Sequence, residues 1–288
     1  MSPGNPFIPV NRTLSQPALF VLAAVLLTAL LLSPSASVAQ KPATPPAPAP
    51  APGAAASSSR IQAPTARHFT SGETYIYEAE WRLWKAGIAT LRIEDAGSEH
   101  RVLATADSIG PAALLYTVRD RFEAFFDRKT FCSRNITKRT EEGFRKLRTS
   151  IRFDYARRKS VLEETNLRSK KSKKVENDIP ECVTDVVSGI YYLGSLPLAP
   201  DATYRFPLSD GGRTTEVEAH VEAREEVKTP AGMFQTIRVQ PRATSGVLKD
   251  RGQVWIWYSD DAARIPVQMR ARMFWGTLTF RLLRIDRK

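Results

Sequence analysis

An all-β, mainly antiparallel domain, built as a strongly curved sheet or half-barrel with a short capping helix, is the fold class that this sequence predicts. Three observations predict it. Between Gly72 and Ile285 apolar and polar residues alternate with period two. Turn residues interrupt that alternation at close, regular intervals. Only one stretch, residues 184–193, keeps a clear helical spacing.

The chain opens on a segment outside the domain. Ala18 to Leu32 form a run of 15 residues, apolar but for Thr28, followed by Pro34 and by Ser37-Val38-Ala39 ahead of Gln40. A secretory signal peptide has an apolar core of roughly 7–15 residues and small residues at its cut. A membrane-spanning helix needs about 20. Residues 1–39 therefore read as a signal peptide, and no cysteine stands at the cut to carry a lipid. The alternative is an uncleaved anchor facing the periplasm from the inner membrane, because Arg12 is the only basic residue ahead of the run. Residues 40–67, rich in alternating Pro and Ala, read as a disordered or semi-rigid spacer. Residues 68–288 remain for one β-rich domain with a sizeable core.

The first predicted strand places Tyr75, Tyr77, Ala79, Trp81 and Leu83 on one face, with Ile76, Glu78, Glu80 and Arg82 opposite. Lys85-Ala86-Gly87 turns the chain, and Ala89, Leu91 and Ile93 continue the pattern as a hairpin. Strands are then expected over 100–109, 116–127, 130–140, 144–155 and 160–165. A brief helical turn is expected over Gly110–Leu115. A further set follows at 203–207, 215–227, 234–241, 253–259, 266–273 and 277–285. The helix between the two sets has Val186, Val187, Ile190, Tyr191 and Leu193 in helical register, Thr184 as N-cap, and Gly194 and Pro197 as its stop. Such a helix is expected to cap the concave side of the sheet.

Charge and cysteines narrow the function. The first 67 residues hold four of the 42 basic residues and none of the 30 acids, which leaves the remainder at +8. Basic residues bunch at Arg157-Arg158-Lys159 and in Arg168, Lys170, Lys171, Lys173 and Lys174. These read as a solvated loop, or as a patch for anionic lipid headgroups or acidic envelope polymers. Nucleic acid is not expected as a partner, because the protein is exported and no aromatic interrupts the lysine run. Cys132 and Cys182, the only cysteines, pair most simply as one disulfide in an oxidising compartment, with two free thiols as the alternative. Closing a loop of that length stabilises by roughly 4 kcal/mol in the chain-entropy model. His68, His100 and His220 show no metal-ligand spacing. His100 and His220 read as surface residues. No metal and no cofactor is expected.

The stretch Gln253-Val254-Trp255-Ile256-Trp257-Tyr258 is apolar on both faces and must be covered twice. Next to it Val267, Met269, Ala271 and Met273 alternate with Gln268, Arg270 and Arg272. Two adaptable methionines beside tryptophans suit a cavity for an acyl chain, with ordinary core packing as the alternative. No Gly-x-Ser-x-Gly elbow is present, and Glu78 and Glu80 read as a solvated face rather than a catalytic pair.

Several motifs, in order, resemble a bacterial family of exported domains of unknown function. They are Gly72-Glu73-x-Tyr75-x-Tyr77-x-Ala79-x-Trp81 with Ala86-Gly87, then Asp185-Val186-Val187-Ser188 to Tyr191-Tyr192-Leu193. Thr229-Pro230-Ala231-Gly232-x-Phe234 and Trp257-Tyr258-Ser259-Asp260-Asp261 through Arg264-Ile265-Pro266-Val267 complete the set. Gly194 departs from the pattern, since many members carry Arg there. The resemblance implies a curved β domain, with a fold analogy to periplasmic half-barrels that carry lipoproteins or sense lipids, and it brings no catalytic residues.

The leading expectation is a non-enzymatic periplasmic protein of the cell envelope that binds a lipid-like or amphiphilic ligand between sheet and helix. Trp255 and Trp257 are expected as walls, Met269, Met273 and Tyr191 as further contacts, and Arg270 and Arg272 at a headgroup. The alternative is a structural or interaction module with a packed core, whose Arg168–Lys174 loop docks on an acidic envelope partner. An enzyme acting on envelope polysaccharide is a third reading. Membrane contact is expected only through an uncleaved N-terminal segment.

Overall fold

The computed structural model describes residues 70–82, 84–244, 252–273 and 276–287. The expected signal peptide and spacer lie outside the described residues, as does Leu83 of the first predicted strand. The described chain forms fourteen strands in one antiparallel sheet. In chain order they are β1 (Thr74–Trp81), β2 (Trp84–Ala96), β3 (Glu99–Ser108), β4 (Arg119–Asp127), β5 (Ser133–Glu142), β6 (Arg145–Asp154), β7 (Lys159–Asn166) and β8 (Ser172–Asp178). After a helical connection come β9 (Thr203–Ser209), β10 (Thr214–Thr229), β11 (Gly232–Ala243), β12 (Gln253–Ser259), β13 (Pro266–Met273) and β14 (Gly276–Asp286). The spatial order is β8 to β1 in descending sequence, then β14 down to β9. Two meanders are thus joined by pairing β1 with β14, with Tyr75 opposite Ile285 and Glu80 opposite Thr279.

No ladder closes the sheet, but its two ends are drawn together. Asn177 on β8 donates to the Thr214 hydroxyl at 3.0 Å. The Ser160 hydroxyl of β7 donates to the Gly211 carbonyl in the β9–β10 turn at 2.9 Å. Thr184 makes a parallel bridge with Leu208 of β9. Polar groups of the connecting segment and turns thereby satisfy part of the sheet edge, which would otherwise invite pairing with another chain. The result is a half-barrel rolled almost shut.

Two short helices interrupt the strands: α1 (Gly110–Leu115) and α2 (Val186–Ser195). The cap of α2 is Asp185 rather than Thr184. Its carboxylate accepts from the Val187 and Ser188 amides at 2.7 and 3.2 Å, and the Ser188 hydroxyl completes a capping box. Thr184 is instead engaged by β9, which moves the start of the helix inward. Every residue from Val187 to Ser195 is buried. The helix therefore runs inside the roll as part of the core, on the concave side of the sheet where it was expected. Gly194 lets it approach β12: a Cβ there would lie 3.2 Å from the Tyr258 ring. Cys132 and Cys182 form the expected disulfide, Cα–Cα 5.2 Å, which ties the start of β5 to the lead-in of α2.

Two further expectations change. Residues 172–174, the end of the expected Arg168–Lys174 basic loop, belong to the edge strand β8. Lys173 pairs with Glu164 and Lys174 with Glu163 across the β7–β8 register. His100 is buried against Phe126, with Asp95 3.1 Å from Nδ1, and burial lowers its pKa. It belongs to the core rather than the surface.

Candidate functional site

Alternation decides which side chains point into the roll, and their sizes decide whether it is full. Near α2 they do not fill it. Inward positions on β2 and β3 carry Ala89, Ala104 and Ala106. These small residues leave a cavity of about 80 Å³ between the sheet and the Val187 and Ile190 face of α2. One buried water needs roughly 10–15 Å³, so the space exceeds a single water several-fold. Tyr77, Leu91, Phe122, Met269 and Phe280 make its walls predominantly apolar.

One wall residue is out of character. Lys138 faces inward from β5 and is only 6% exposed. Among the described residues it has no hydrogen bond and no ion pair; its ammonium lies over the Phe122 ring, 5.4 Å from the centroid. Burial lowers its pKa, while the more distant charges of Asp185, Asp210 and Glu164 raise it. A buried ammonium without a carboxylate partner is costly to the folded state.

Beyond it, toward the rim that carries α1, two carboxyls face each other. Asp120 borders the cavity, and its Oδ1 accepts from the Glu141 amide at 3.0 Å. Glu142 is 1% exposed, with Oε2 3.4 Å from Arg145 Nη1 and the Asp120 carboxyl close enough to raise its pKa. Burial raises both groups first; the charge of Asp107 then adds to Asp120 and that of Asp120 to Glu142, which puts them at about 6 and about 7. The site thus combines an apolar hollow, a buried lysine and two neighbouring carboxyls whose pKa values are raised. Among the described residues no three His, Cys, Asp or Glu side chains gather as a metal site requires.

Of the residues expected at a ligand site, Met269 lines the cavity. Tyr191, on α2, stacks on Phe126 with centroids 5.9 Å apart, away from the hollow. Met273 shares the inward register of Met269 at the far end of β13. The others are on the opposite face. Ile256 pairs with Met269 inside, which puts Trp255 and Trp257 outside with Arg270 and Arg272. Trp257 donates to Glu225 Oε1 at 2.7 Å and lies under Arg270, whose guanidinium is 5.2 Å from the ring. Arg238 bonds the same carboxylate at 2.7 Å. The second cover that this strand required is a layer of the chain's own arginines.

Sequence reading passed over Lys138, Asp120, Glu142 and the three alanines. The available clue was the inward series Ile136, Lys138, Thr140, Glu142 on β5, which reads as an ordinary polar face until the sheet is rolled.

The family model of DUF3108, described as a protein of unknown function, matches residues 76–283. No curated relative matches the chain. A beta-barrel-like protein of the domain of unknown function DUF1849 from Brucella abortus superposes over 76% of this chain and 99% of its own, at 11% identity and a TM-score of 0.54. A protein with a YmcC-like fold from Bacteroides fragilis covers 78% of this chain and 100% of its own, at 11% identity and a TM-score of 0.36. At this identity the Brucella likeness shows a shared barrel-like fold and nothing of function.

Proposed function

The chain belongs to the DUF3108 family of proteins of unknown function, and from that premise we propose that it is a non-enzymatic envelope protein that holds an amphiphilic ligand in the hollow between sheet and α2. The carrying observation is Lys138, a buried ammonium with no acidic partner among the described residues, set in the wall of an apolar cavity. An anionic headgroup at Lys138 with an apolar tail along Phe122, Leu91 and Ile190 satisfies both the charge and the surface. The apolar N-terminal run and a disulfide of the kind that persists in an oxidising compartment support placing it in the periplasm.

Native mass spectrometry of the full chain, purified from cells without detergent, tests the reading. An added mass that leaves on denaturation, and is lost in both Ala106→Phe and Lys138→Met, is the expected result. A bare polypeptide, or an adduct retained by both variants, overturns it.

A further inference from the structure

Among the described residues five large hydrophobic side chains are strongly exposed, and four of them lie on one rim of the roll. They are Trp84 at 76%, Leu114 at 90%, Leu115 at 71% and Phe144 at 86%; the fifth, Met233, lies in the β10–β11 turn at the opposite end. The four occupy consecutive connections: the start of β2, helix α1 between β3 and β4, and the β5–β6 turn. These connections touch one another. The Ile109 amide donates to the Ala86 carbonyl at 3.0 Å, and the Gly143 amide to the Thr117 carbonyl at 2.8 Å. The β7–β8 turn continues the row, with Leu167 N donating to the Lys146 carbonyl at 2.8 Å.

Basic residues are interleaved with these tips. Arg168 donates to the Phe144 carbonyl at 3.3 Å, and its guanidinium lies 5.6 Å from the Phe144 ring centroid. Lys170 and Lys171 are exposed beside it, and Arg119 is exposed at the start of β4. None of these four forms an ion pair among the described residues, whereas the neighbouring Lys173 and Lys174 are paired with Glu164 and Glu163. The acids nearest the rim are spoken for: Asp107 pairs with Arg121, and Asp120 and Glu142 face inward.

We propose that this rim docks on a bilayer surface carrying anionic lipid headgroups. Apolar tips on separate turns, with unpaired cations at Phe144 and at the start of β4, suit an interface in which side chains dip between headgroups. A protein partner of ordinary area needs a contiguous, closely packed apolar patch instead. The cations match the sign of the headgroups, and each adds to binding within a Debye length of the surface. This contact is separate from any N-terminal anchor, and it stands whether or not the hollow binds a ligand.

Amide exchange on the full-length chain tests it, with vesicles of phosphatidylethanolamine alone or mixed with phosphatidylglycerol. Any insertion of residues 18–32 holds the protein at both vesicles, so their difference reports the rim. Anionic vesicles should slow exchange in 110–116 and 142–146 by roughly tenfold, leaving the 229–233 turn unchanged. The protection should disappear in high salt and in Leu114→Ser/Leu115→Ser or Phe144→Ser, and survive in Met233→Ser. Equal protection by both vesicles, none by either, or protection without vesicles that grows with protein concentration overturns it; the last would mean that the rim seats a second copy of the chain.

Discussion

The Ser133 hydroxyl donates to the Asp185 carboxylate at 2.6 Å, and the Asp185 amide returns a bond to the same hydroxyl at 2.7 Å. One residue starts β5 and the other caps α2, so this exchange docks the internal helix on the sheet. Both are fully buried, beside the Cys132–Cys182 disulfide. Asp185→Ala strips the cap and leaves the Val187 and Ser188 amides unsatisfied. It should cost about 3 kcal/mol in urea unfolding, with Asp185→Asn recovering part of that.

The disulfide closes a separation of 50 residues. Its removal in the double variant Cys132→Ser/Cys182→Ser should lower stability by about 2–4 kcal/mol. Unfolding with and without reductant should show the same difference in the parent protein and none in the variant.

Stability should fall as pH rises through the range of the acidic pair. Glu142 is raised from 4.5 to about 7. Between those values the folded state keeps a proton that the unfolded chain releases, so the contribution of Glu142 is full below about pH 4.5 and lost by about pH 7. The Glu142→Gln variant should flatten this slope and gain roughly 2 kcal/mol over the parent above pH 7. Urea midpoints across that range measure it.

Filling the hollow should separate ligand retention from stability. Ala104→Leu adds a side chain where space already exists, so its stability should stay within about 1.5 kcal/mol of the parent. Its bound mass by native mass spectrometry should disappear.

Trp257→Ala should do the reverse. The ring is covered by Arg270, Glu225 and Arg238 on the outer face. Its loss should cost about 3 kcal/mol and leave ligand retention unchanged, as thermal unfolding and adduct mass will show.

Local pattern carried much of this molecule into view. The alternation of Tyr75, Tyr77 and Ala79 against Ile76 and Glu78 reads as a strand, the helical spacing from Val186 to Leu193 reads as a helix, and the two cysteines read as a bridge. The error at the start of α2 arose because Thr184 and Asp185 are both good caps. The choice between them was made by β9, where Thr184 N donates to the Pro207 carbonyl. The lysines at 173 and 174 read as loop because their partners, Glu164 and Glu163, become neighbours only when β8 pairs with β7.

By itself, the sequence determined an antiparallel β protein with one short helix against its sheet, because period, capping residues and turn chemistry are local properties of the chain. Only the tertiary structure decided which of two alternating faces is inside. A period of two is symmetric, so Trp255 and Trp257 have the same claim on the core as Val254, Ile256 and Tyr258. Pairing β1 with β14 and rolling the sheet around α2 breaks that symmetry. It turns the tryptophans outward beneath arginines, brings Lys138 into an apolar wall, and leaves Ala89, Ala104 and Ala106 facing a space that none of them fills.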